Sequence, residues 1–236
     1  MAIISKLREV TALSLISACT LCNAATVHLA GSTVDFYYDD AQPGMSAYGS
    51  LSAIGNSIFA QSVNLSADAS NGSSASINAL GSITIVAHSG YSFDSMQVAQ
   101  FGDYSLSGAG ASINVSGTLS VEDSNNSTTS SSNTLSISGL GLNDSQTHEW
   151  QAIAGFDLSS AMWSNVSSIE LSLDTLLSAS TLSNGESAFT ESKFVGGGMV
   201  TIETTVVPVP AAVWLFGSGL LGLASIARRP KKTVSQ

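Results

Sequence analysis

Between residues 111 and 122 the chain alternates strictly. Ala111, Ile113, Val115, Gly117, Leu119 and Val121 are small or apolar, while Ser112, Asn114, Ser116, Thr118, Ser120 and Glu122 are polar. Successive side chains of a β-strand point to opposite faces, so a period of two makes one apolar and one wet face; a helix would scatter the same residues around its circumference. The pattern recurs in Val63, Leu65 and Ala67; in Ala75, Ile77, Ala79, Gly81, Ile83 and Ile85; in Ile169, Leu171 and Leu173; and in Val200 and Ile202, running on to Val206. Turn-forming residues punctuate these runs, as at Asn71 with Gly72, Ser89 with Gly90, and the stretch 139–144. No helical pattern of comparable length precedes Ala211. Many short alternating strands predict an all-β fold, an antiparallel β-sandwich over 25–205, and about 180 residues suffice to bury such a core without disulfides. The Ser/Asn/Thr tract 124–133 is expected to be a flexible loop, and 157–165 has room for one helical turn.

Charge narrows the partners. Of 236 residues, seven are basic and 17 acidic, and residues 25–207 hold one cation, Lys193, against 16 of the acids. Such a body has almost nothing with which to neutralise phosphates, which argues against nucleic-acid binding. It is expected to be soluble and self-repelling unless divalent cations bridge the chains.

The basic residues gather at the two ends. Lys6 and Arg8 precede the apolar run 10–21, and Cys22, Asn23 and Ala24 place small side chains before a cut between Ala24 and Ala25. Positive charge, a short apolar segment and a small-residue site make 1–24 a secretory signal peptide, read by signal peptidase. About 12 apolar residues are too few to span a hydrocarbon core that needs roughly 20. Both cysteines, Cys19 and Cys22, fall inside this segment, so a chain starting at Ala25 has no thiol and no disulfide. A competing reading takes Ile16, Ser17, Ala18 and Cys19 as a lipobox, with Cys19 acylated.

At the other end, Val207, Pro208, Val209 and Pro210 lead into 211–227, which carries no charge and would be about 25 Å long as a helix, enough for a short membrane span. Arg228, Arg229, Lys231 and Lys232 follow and are expected to stay cytoplasmic, leaving the body outside. Within the span, Gly217, Gly219 and Gly222 match a dinucleotide-binding fingerprint by letter. That motif needs a preceding strand, a following soluble helix and a downstream acid, whereas here it lies inside an apolar span with no Asp or Glu after it. Small residues here suit close helix packing instead.

Together with the export signal, this three-part end over 206–232 resembles the PEP-CTERM sorting signal of Gram-negative bacteria in its VPLPA-type variant. The residues carrying the resemblance are Val207, Pro208, Val209, Pro210 and Ala211, the tract 212–223 with Trp214, Leu215, Phe216 and Gly217, and Arg228 with Arg229. Val209 stands where the best-known form has glutamate. The resemblance implies an exosortase substrate, cut near the proline motif and passed from the inner membrane to the cell surface or extracellular matrix. It also implies an association with exopolysaccharide and biofilm. It says nothing of the body.

Local motifs give the body no chemistry. His28, His88 and His148 have no metal-ligand spacing, and no G-x-S-x-G elbow occurs despite abundant serine. Asp39 with Asp40, and Glu122 with Asp123, Asn125 and Asn126, could offer oxygens to Ca²⁺ but fit no known loop and read as solvated turns. No catalytic residue, metal site or cofactor is therefore assigned. The expectation is a non-enzymatic structural or adhesion protein of the surface or matrix. The alternative is a carbohydrate-binding module stacking sugars on exposed Trp150 or Trp163, helped by Tyr37, Tyr38, Tyr48, Tyr91 or Tyr104.

Overall fold

The structure, a computed structural model, describes residues 26–60, 63–193 and 199–207. Among these residues lie strands β1 (Thr26–Ala30), β2 (Val34–Asp39), β3 (Leu51–Ile54), β4 (Ser57–Ala60), β5 (Leu65–Ser70), β6 (Ser74–Ala87) and β7 (Tyr91–Ser107). They continue with β8 (Ser112–Asp123), β9 (Asn126–Thr134), β10 (Ser136–Ser138), β11 (Thr147–Asp157), β12 (Ser168–Ser180), β13 (Ser187–Lys193) and β14 (Val200–Val206). A single 3-10 turn, Met45–Tyr48, joins β2 to β3.

All the pairings are antiparallel, and they form two sheets. The first has the order β1-β2-β6-β12-β8-β9, and the second β10-β11-β7-β14-β4-β3. The 17-residue β7 organises the second sheet. One of its edges runs along β11, while the other is shared end to end by β14 on Tyr91 to Val98 and β13 on Phe101 to Ser107. Strand β5 then adds to β13. The expected antiparallel sandwich is thus the observed architecture of the body.

The alternation read from the sequence is what packs the two layers. On β12 the inward set is Ile169, Leu171, Leu173, Thr175, Leu177 and Ala179, and on β8 it is Val115, Leu119 and Val121. Opposite them the second sheet buries Met96, Val98, Tyr104, Trp150, Ala152, Ala188 and Ile202 in the same core. Each fully buried large aliphatic side chain contributes about 1.5–3 kcal/mol, so a core of this extent needs no covalent staple. A buried polar cluster ties the layers together. Thr175 Oγ1 of β12 receives Gln100 Nε2 of β7 at 3.0 Å, and the Tyr48 hydroxyl donates to Thr175 at 3.2 Å.

Two local expectations are corrected. Most of the tract 124–133 is strand, not loop: Ser124 and Asn125 make the turn, and β9 pairs with β8. Ser and Thr tolerate strand geometry, and an edge strand with both faces wet needs no apolar alternation. Residues 161–165 form hydrogen-bonded turns rather than a helix, with Trp163 N–H donating to Ser160 O and Val166 N–H to Trp163 O. The expected export signal over 1–24 and the expected membrane helix over 211–227 lie outside the described residues.

The sandwich has two ends. At one, called here the exit rim, β6 finishes, β7 starts, and Val207 N–H donates to Gly90 O at 2.9 Å. At the far rim the loops after β5, β7 and β12 meet. There Asn71 and Gly72 have φ of 55° and 82°, values that favour Asn and Gly, and Ser73 N–H closes the turn on Ser70 O.

Candidate functional site

The outer face of the first sheet is a grid of hydroxyls. Antiparallel register places Ser82, Ser172, Ser120 and Ser132 in one cross-strand row, and Ser74, Ser180 and Ser112 in another. Next to the first row, on the side away from the second, lies the row Thr84, Glu170, Glu122 and Ser130, which sets two carboxylates directly opposite each other. Like charges so placed repel, and strand pairing holds them together all the same. With Ser120, Ser130, Ser132 and Ser172, the two glutamates line a trough of about 440 Å³. Its hydroxyls both donate and accept, and its carboxylates only accept, so the chemistry suits polyhydroxylated or cationic groups. No sequence motif announces this pair. Glu122 and Glu170 are 48 residues apart, and only strand register brings them together.

The aromatic platforms are not at the surface. Trp150 and Trp163 are 1% and 2% exposed, which removes both indoles as sugar-stacking surfaces. Trp150 is buried because Gly102, its cross-strand partner on β7, leaves the space that the ring fills; a Cβ there would run into the indole and the Glu191 carbonyl. Its Nε1 has no hydrogen-bond partner among the described residues. Tyr38, Tyr48 and Tyr104 are also buried. The Tyr104 hydroxyl donates to Gly139 O and accepts from Leu142 N–H, and burial pushes the Tyr48 phenol up. Tyr37 and Tyr91 are half-buried, with Tyr37 stacked on His28 at 4.7 Å between ring centroids.

The Nε2 of each histidine faces an aspartate. His88 and His28 approach the two oxygens of Asp35 at 3.1 and 3.6 Å, and His148 lies 2.7 Å from Asp144 Oδ1. The His88 hydrogen bond is the largest influence on Asp35 and holds its carboxyl below the usual range; His148 does the same for Asp144. Two of the acids considered for Ca²⁺ close turns instead: Asp39 accepts Ala41 N–H and Asp123 accepts Asn125 N–H, both at 2.9 Å. Among the described residues no three His, Asp or Glu side chains form a group fit to hold a metal ion.

Two further clusters are structural clamps. On the outer face of the second sheet, Glu149, Asp103 and Glu191 form one cross-strand row, and Lys193 Nζ lies 2.5 Å from Asp103 and 3.3 Å from Glu149. Asp103 raises the lysine's pKa most. At the far rim the Glu186 carboxylate accepts the N–H groups of Gly110, Leu182 and Ser183 at 2.7 to 2.9 Å. These backbone donors, Gly110 first, hold Glu186 below the ordinary glutamate value.

Of the processing residues, Ala24, Ala25, Pro208, Val209, Pro210, Arg228, Arg229, Lys231 and Lys232 lie outside the described residues, and Val207 ends the fold at the exit rim. Comparison with known proteins gave no match: no family model fits the chain, and no curated protein or solved structure is significantly similar to it. Fold and surface define a class only, an acidic all-β sandwich with a hydroxyl-rich outer face.

Proposed function

We propose that the chain is an exported, non-enzymatic structural or adhesion protein of the cell surface or extracellular matrix, sorted through its carboxyl end by an exosortase-type enzyme. One observation carries this reading: a proline motif, an uncharged 17-residue span and a basic cluster follow one another from Val207 to Lys232, on a chain that opens with an export signal. The body suits the role. Its core is closed without cysteine, and its outer surface offers hydroxyls and carboxylates that can meet exopolysaccharide or share divalent cations between chains. Sugar stacking on Trp150 or Trp163 has no support, since both rings are core.

The test compares the full chain with one ending after Val207, both expressed in a Gram-negative host carrying an exosortase. The full chain should reach the envelope or matrix fraction, and the shortened chain should remain soluble in the periplasm. Identical fractionation of the two overturns the sorting role.

A further inference from the structure

Resting on the reading of 211–227 as a membrane span, we propose that the exit rim docks on the lipid surface that receives this span, for as long as the tail is uncut. The docking surface is the β6–β7 turn (His88, Ser89, Gly90 and Tyr91) with Val206 and Val207.

Chain length forces the proximity. Val207 is hydrogen-bonded to Gly90 at 2.9 Å, so the fold holds the chain up to that residue. Only Pro208, Val209 and Pro210 separate it from Ala211. Four residue steps reach at most about 14 Å even when fully extended. The headgroup layer beyond the hydrocarbon core is itself roughly 5–7 Å thick. The turn that holds Val207 therefore stands at or just above the headgroups.

The rim's chemistry fits that position. Val206 is 69% and Val207 45% exposed, apolar side chains left uncovered where the span begins. Ser89 and Gly90 are exposed and small, and the half-buried Tyr91 presents the amphipathic ring that interfaces favour. Acids are missing from 31–34, from 86–93 and from 204–207, although the body carries 16. Asp35, on the adjoining outer face, is faced by His28 and His88, and Glu203 further down β14 accepts Ser95 Oγ. An anionic membrane would meet a turn and a strand end with no acid of their own, with Asp94, Asp123 and Asp157 flanking them on β7, β8 and β11. Leu182, 81% exposed at the far rim, is the internal reference. It lies beyond the end of β12 that pairs with Ser74, whereas the start of β12 pairs with Val86 next to the exit rim.

A chain starting at Ala25 has no cysteine, so single reporters can be placed cleanly. The full chain from Ala25, with its tail, is reconstituted in phosphatidylethanolamine/phosphatidylglycerol vesicles carrying nitroxide on headgroups or on acyl chains. Ser89→Cys, Leu182→Cys and Leu220→Cys each bear an environment-sensitive fluorophore. Docking predicts headgroup quenching about threefold stronger at position 89 than at 182, with acyl-chain quenching at 220. If 220 is quenched by acyl-chain nitroxide but 89 is quenched no more than 182, the docking is overturned and the span stands. If 220 escapes acyl-chain quenching, the span reading itself fails and takes the docking with it.

Discussion

Gly102 shows how one missing side chain decides where a large one goes. The Trp150 indole lies where a Cβ of residue 102 would sit, so Gly102→Ala should overpack the core and lower stability by about 1–3 kcal/mol in chemical denaturation. An unchanged midpoint would mean the ring has room to shift. Thr175 is fully buried and bridges Gln100 and Tyr48, so Thr175→Val keeps the volume but strands two polar partners. A loss of about 1–3 kcal/mol is expected, with stability at wild-type level as the contrary result. Glu186 acts through charge. Its folded pKa is depressed, so its contribution is present above the unfolded value of about 4.3 and disappears as pH falls through the lower folded value. Glu186→Gln should lower the melting temperature at neutral pH and flatten the acid limb of the stability curve. An acid limb identical to that of the parent would contradict the clamp. None of these roles could be read locally, because Gly102 and Trp150, or Glu186 and Gly110, meet only after long strands have found their register.

Legibility at the scale of elements followed the cleanliness of the alternation. Strands β5, β6, β8, β12 and β14 each have one apolar and one polar face over part or all of their length, and all five could be read from the sequence. Strand β7, the longest, could not. Its inward set includes Gln100 and Gly102 while Ala99 and Phe101 face outward, so the contrast between faces is lost where the buried polar bridge and the Trp150 slot are built. Strand β9 was hidden for the opposite reason: an edge strand wet on both faces looks like a polar linker. Hydrogen–deuterium exchange separates the two states. Amides of β9 that pair with β8 over Ser130 to Thr134 should exchange more slowly than those of the loop 139–146, whereas equal rates would return the tract to a loop. The trough between β12, β8 and β9 was illegible on the same grounds, since Glu122 and Glu170 are joined by register alone.

For the whole molecule, the described body is compatible with the proposed life outside the cell. It closes its core without disulfides, is short of lysine, and turns a hydroxyl-covered sheet to the solvent. Its last strand runs directly up to the proline motif, since Val207 is both the last hydrogen-bonded residue among those described and the first of the motif. Sorting would therefore act on a folded domain held close to the bilayer. Intact-mass analysis of the protein recovered from cells with an exosortase tests this account most directly. The account predicts a chain that begins at Ala25 and ends near Val207 to Pro210, recovered from the envelope or matrix. A full-length chain in the cytosol, with Met1 and Gln236 both in place, would contradict it.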